Sequence, residues 1–172
     1  MLRRRFAPAD VERLTGVSGT LQRKWVQLHF ASVSEPSLLW TSEGPRGHRR
    51  FTWAGVQMFE FLSTASDDLG RMHPESHFAA ADKILGEECT KEFEGVPPAH
   101  LFEVDFRQYD RGDEFLILSM TDGQPGRFLT ASHAGVAKVL TSKWGARLYC
   151  YNVSAMQRAL VSRVAELDEH ST

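Results

Sequence analysis

An α+β fold is expected for this 172-residue chain from three features. Its first 65 residues carry short apolar stripes at spacings of three and four, the mark of amphipathic helices. Its second half holds extended, β-branched and aromatic runs separated by Gly- and Asp-rich turns. With 42% hydrophobic and 24% charged residues, the chain also has the balance of a globular protein rather than a disordered one.

The elements follow in order. Pro8 to Leu14 reads as a short helix, because Pro fits a first helical position and Val11 and Leu14 share a face. Gly16 breaks it. Ser18 is a good N-cap for a second helix from Gly19 to Leu28, whose buried stripe is expected to be Leu21, Trp25 and Leu28. Gln22, Arg23 and Lys24 then project toward solvent or a ligand. Two short helices joined by a Gly-containing turn are the sequence form of a helix-turn-helix. Leu38-Leu39-Trp40 and Arg49-Arg50-Phe51 read as two short strands, and Glu43 to His48 as the loop joining them. Thr52 caps a third helix, with Val56, Phe59 and Leu62 or Ala65 on its buried side. Trp25, Trp53 and Phe59 are expected in the core. Helix, turn, helix, basic hairpin, helix is a winged helix-turn-helix layout, assigned here to residues 1–68.

Ser66-Asp67-Asp68-Leu69-Gly70 marks a boundary, and residues 72–172 read as a small α+β domain, a β-meander with helices. A helix is expected from Pro74 to Phe93, then strands over Leu101 to Tyr109, Phe115 to Met120 and Arg127 to Thr130. The turns between these strands are Asp110 to Asp113 and Asp122 to Gly126. A helix from Ala134 to Lys143 and a strand from Arg147 to Val153 follow. Ser154 is expected to cap a last helix with the stripe Met156, Leu160, Val164 and Leu167.

The net charge of −2 hides an asymmetry. Met1 to Met58 holds nine Lys and Arg against four Asp and Glu, a net of +5, whereas Phe59 to Thr172 is −7. A basic part joined to an acidic part suggests that the first meets a polyanion and the second does not.

The run Phe6 to Ser18, with Thr20-Leu21-Gln22 and Trp25 after it, resembles the opening of MerR-type DNA-binding domains. Gly47-His48-Arg49-Arg50-Phe51-Thr52 is similar to the wing ending of that family. The resemblance covers the first 65 residues. It implies that Ser18 to Leu28 is the recognition helix and that Arg46 to Arg50 touch the DNA backbone. The residues expected at the interface are Ser18, Thr20, Gln22, Arg23, Lys24, Arg46, His48, Arg49 and Arg50. Exposed Gln and Arg match base edges, and basic wing residues neutralise phosphates. Gln22 stands where the family often has Arg, and the long dimerisation helix of many members is not readable, because Gly70, Gly86 and Gly95 interrupt its region.

Other constellations carry less. His73 and His77 have metal-chelating spacing, but no Cys or His pair accompanies them. Asp110, Asp113 and Glu114 crowd one turn without the spacing of a calcium loop. Ser132-His133 and Ser119 offer no nucleophile elbow, and no Gly-rich phosphate loop occurs. Cys89 and Cys150 are read as small core residues; two cysteines make neither a disulfide framework nor a four-cysteine zinc site. No run of 18 apolar residues predicts a membrane span, and the basic start lacks an apolar signal core, so a cytoplasmic location is expected. The expected function is a sequence-specific transcription regulator, leaning to repression, that binds double-stranded DNA. It is expected to be no enzyme, to need no cofactor and no metal, and to form a homodimer; its C-terminal domain is expected to dimerise, bind a partner or sense a small-molecule or protein effector. The alternatives are an excisionase-like architectural DNA-binding protein of a phage or mobile element, and an interaction adaptor whose helix-turn-helix has lost DNA contact.

Overall fold

The computed structural model describes residues 4–27, 37, 39–44, 47–69, 90–91, 113–121, 124–142 and 147–169. They form a mixed α+β fold in two compact units. One comprises Met1–Asp82 with Arg158–Thr172, the other Lys83–Gln157.

The first unit begins with α1 (Pro8–Thr15) and α2 (Gly19–Trp25). The Asp10 carboxylate reaches back to the Ala7 N–H at 2.9 Å and occupies one of the donors that a helix start leaves open. Gly16 closes α1 at φ 72°, its N–H donating to the Glu12 carbonyl at 2.8 Å. A side chain in this left-handed conformation would cost about 1 kcal/mol, which is why the break falls on Gly.

Strands β1 (Trp40–Glu43) and β2 (His48–Phe51) pair antiparallel from Trp40–Phe51 to Glu43–His48. The Gly47 N–H donates to the Gly44 carbonyl at 3.0 Å across the turn. Phe6 adds one further rung, exchanging both backbone hydrogen bonds with Phe51 at 2.9 Å.

Helix α3 (Trp53–Leu69) starts at Thr52, whose hydroxyl accepts from the Gly55 N–H at 3.0 Å, so the expected cap is present. The N–H and hydroxyl of Thr52 both donate to the Leu39 carbonyl. That carbonyl lies so close that a Cβ on Gly55 would stand 2.2 Å from it. Val56, Phe59 and Leu62 are buried as expected, but so are Gln57, Met58 and Phe61. A helix covered on this many sides is a central one rather than an amphipathic surface one. Trp25 stacks on Phe59 at 5.8 Å, Phe51 meets the same ring edge-on at 5.1 Å, and Phe6 lies 6.0 Å from Trp53. Trp25, Trp53 and Phe59 are core, as expected, and Phe6 and Phe51 join them.

The second unit is a four-stranded sheet of order β3-β5-β4-β6, formed by β3 (Thr90–Lys91), β4 (Glu114–Thr121), β5 (Gln124–Ser132) and β6 (Arg147–Asn152). β3 runs parallel to β5, and the other pairs are antiparallel. This is not the expected meander. β3 occupies one edge of β5, and the crossover through α4 (His133–Ser142) brings β6 to the open edge of β4. Thr90 and Lys91 are strand, not the end of a helix; the rest of the expected Pro74 to Phe93 helix and the Leu101 to Tyr109 strand lie outside the described residues. β5 begins at Gln124, so the turn before it is shorter than expected. Ile117, Ala131 and Val139 form the core between sheet and α4.

Three smaller expectations are corrected. The last helix, α5 (Val153–Glu169), is capped by Asn152, whose Oδ1 accepts from the Ala155 N–H at 2.8 Å. Asn caps as well as Ser, so spacing alone does not choose between them. Ser154 turns inward instead, and its hydroxyl accepts from the Glu114 N–H at 2.9 Å. Cys150 is exposed rather than core, because it sits on the edge strand β6. Glu114 is a buried strand residue rather than part of a turn, and Asp113, just before that strand, accepts from the Asn152 side-chain amide at 2.7 Å. Among the described residues no helix is long and apolar enough to cross a membrane. By packing, α5 from Arg158 onward groups with the first unit, where Leu160 and Val164 are buried.

Candidate nucleic-acid interface

The site starts from how α2 is fastened to α1. The Ser18 hydroxyl accepts from the Leu21 N–H at 3.3 Å, the expected N-cap. The Glu12 carboxylate accepts from the Gly19 N–H at 3.2 Å. Gln22 is 1% exposed, and its Nε2 donates to the Pro8 carbonyl at 3.0 Å and the Val17 carbonyl at 2.8 Å. Gln22 is therefore a bolt between the two helices, not a residue offered to a ligand. The expectation that it projects outward is overturned.

The same observation corrects the stripe. The buried face of α2 and the residue after it is Gln22, Trp25 and Val26, while Leu21 is 36% exposed. Both Leu21/Trp25 and Gln22/Trp25/Val26 have helical spacing. The choice falls on the second because a Gln amide can satisfy two backbone carbonyls inside the helix junction and a Leu cannot. Leu28 lies outside the described residues.

Thr20, Arg23 and Lys24 are exposed on the opposite face. The Arg23 guanidinium donates to the Thr20 hydroxyl at 3.3 Å, and no described carboxylate forms an ion pair with Arg23 or Lys24.

The hairpin differs. His48 is exposed at the start of β2. The Arg49 guanidinium lies 5.7 Å from the centroid of the Trp40 ring, a cation–π contact across the strands. Arg50 Nε stands 3.6 Å from Glu43 Oε2. No acidic residue lies between Gly44 and Phe59, so an external partner for the hairpin arginines is the expectation from sequence, with pairing to Glu43 or packing over Trp53 as the alternative; for Arg50 the structure shows the Glu43 pair. Arg46 lies outside the described residues.

Between the start of α2 and β2 lies a cleft of about 740 Å³. It brings together Ser18, Thr20, Gln22, Arg23, His48 and Arg49, with Pro8, Glu12, Gly19, Gly47 and Phe51. Lys24 and Arg50 are not among its lining residues. The Glu12 carboxylate in it is engaged by the Gly19 amide. Two arginines and a histidine thus line one concavity together with Ser18 and Thr20. Such a surface suits a polyanion with hydrogen-bonding edges.

Away from the cleft, Arg4 Nη1 pairs with Asp168 Oδ2 at 2.7 Å. That hydrogen bond holds the Asp168 carboxyl below its ordinary range and raises the Arg4 guanidinium. Of the other polar residues in the sequence, His73, His77, Cys89 and Asp110 lie outside the described residues. Ser132 caps α4, its hydroxyl accepting from the Gly135 N–H at 3.2 Å, and His133 is exposed. Compared with protein-family models and with curated proteins, the chain matches none.

Proposed function

We propose that the first unit is a winged helix-turn-helix of MerR type that binds double-stranded DNA, and that the protein is a transcription regulator acting by occupying a promoter. The observation that supports this best is the cleft that joins the outer face of α2 to β2. A helix of this width enters the major groove, and a neighbouring hairpin then follows the phosphate backbone. Arg23 and Thr20 are the base-edge candidates, and Lys24, His48 and Arg49 are the phosphate contacts. Arg46 is assigned to the backbone by the same resemblance. Leu21, exposed beside them, offers the apolar contact that a thymine methyl group accepts. Gln22 has no part in contact and Ser18 only caps the helix. The second unit dimerises the protein and receives a small-molecule or protein effector, since a two-fold reader gains affinity by spanning two half-sites.

Selection of the full chain against a pool of random duplexes tests the reading. Enrichment of a two-fold symmetric motif is expected, with affinity that falls steeply as salt rises. No enriched motif, together with weak and salt-insensitive binding, would overturn it and favour the interaction adaptor.

A further inference from the structure

The proposed interface is built from residues before Trp53, yet its two halves are both tied to the end of the chain. The Arg163 guanidinium of α5 donates to the Leu14 carbonyl and to Glu60 Oε1 of α3, the latter at 3.0 Å. Leu14 is in the last turn of α1, where helix carbonyls lack intrahelical partners and the macrodipole favours a cation. The Glu60 side chain is only 13% exposed, so removing that partner leaves a largely buried carboxylate without its ion pair. Five residues on, Asp168 pairs with Arg4. Arg4 lies over the Phe6 ring at 5.0 Å, and Phe6 holds β2 through the two backbone bonds to Phe51.

We infer that the last part of α5 is a strap that sets the position of α2 relative to the hairpin, with Arg163 as its positioning residue. The path on one side is Arg163, the end of α1, and then α2 through Glu12 and Gln22. On the other it is Asp168, Arg4, Phe6 and β2. Because Gln22 and Glu12 bolt α2 to α1, any tilt of α1 away from α3 carries α2 with it. The strap touches neither the cleft nor anything bound in it. Its consequence for DNA affinity rests on the proposed function; its consequence for the position of α2 does not.

Amide hydrogen exchange and duplex affinity of the full-length chain, wild type against Arg163→Ala and Arg163→Lys, test this. In Arg163→Ala the Leu21 and Gln22 amides are expected to exchange faster while those of Val56 to Met58, before Glu60 in α3, keep wild-type rates. Affinity for the selected duplex falls roughly three- to thirty-fold. Arg163→Lys, whose ammonium has donors enough for the two partners that Nη1 serves but ends one bond short of that position, falls between. Unchanged exchange in α2 in both variants would overturn the strap, and so would uniform acceleration across the unit, which marks a purely structural loss. If Arg163→Ala does not fold, Arg163→Lys decides on the same two readouts. A wild-type chain without duplex affinity would overturn the DNA reading alone, and the exchange pattern would still decide the strap.

Discussion

Helix α2 and the β1–β2 hairpin both present basic residues, Arg23 and Arg49 at one cleft and Lys24 and Arg50 outside its lining, but they hold them differently. On α2, Arg23 donates to a hydroxyl of its own helix, and neither it nor Lys24 has an ion-pair partner among the described residues. On the hairpin, Arg50 is drawn to Glu43 and Arg49 to the Trp40 ring. A free cation that meets a phosphate displaces the counterions condensed on the nucleic acid, whereas an engaged one must first give up its partner. A basic residue on a short hairpin is therefore weaker evidence for an external anion than one on a helix face, because the turn brings partners from the facing strand beside it.

The difference can be broken by mutation. Arg23→Ala is expected to have the largest effect, a loss of roughly 1–3 kcal/mol of specific binding with relaxed sequence preference. Competition between the selected duplex and random DNA checks it; equal losses on both would make Arg23 a phosphate contact. Gln22→Ala is expected to destabilise the first unit by about 2 kcal/mol, since the Pro8 and Val17 carbonyls lose their donor. Urea unfolding measures this, and a variant as stable as wild type would return Gln22 to the surface.

Arg49→Ala/Arg50→Ala comes next. The exposed ion pair and the cation–π contact together contribute about 1 kcal/mol, so the melting temperature falls slightly. The salt dependence of binding flattens by less than the ~1.8 that two free phosphate contacts would give, whereas Lys24→Ala alone flattens it by ~0.9. The smallest effect concerns pH. The Asp168 carboxyl is held below its ordinary value of 3.8 by Arg4. Its contribution to stability is complete above that value and lost as pH falls through the lowered one. Acid unfolding of Asp168→Asn should differ from wild type only by a slightly smaller loss over that window.

The helix, turn, helix, hairpin, helix order was legible because its punctuation is local. Pro8, Gly16, Ser18 and Thr52 act within one turn of themselves. The inward face of α2 was not legible, since Leu21 and Gln22 both complete a stripe with Trp25 and only the carbonyls of Pro8 and Val17 decide between them. Likewise the stripe Met156, Leu160, Val164 and Leu167 announces α5 but not its partners. Arg163 meets Leu14 and Glu60 across 149 and 103 residues of sequence, a distance that no periodicity spans. The order of β4, β5 and β6 was hidden for the same reason: a hairpin turn specifies its own pair and nothing about the strand after the next helix.

The interface itself is tested most directly by amide hydrogen exchange of the full-length chain, free and saturated with the selected duplex. Slowed exchange is expected over Gly19–Trp25 and His48–Phe51 together, with the amides of β4 and β5 unchanged. Protection centred on the second unit, or none in α2, would contradict a DNA interface built from α2 and the hairpin.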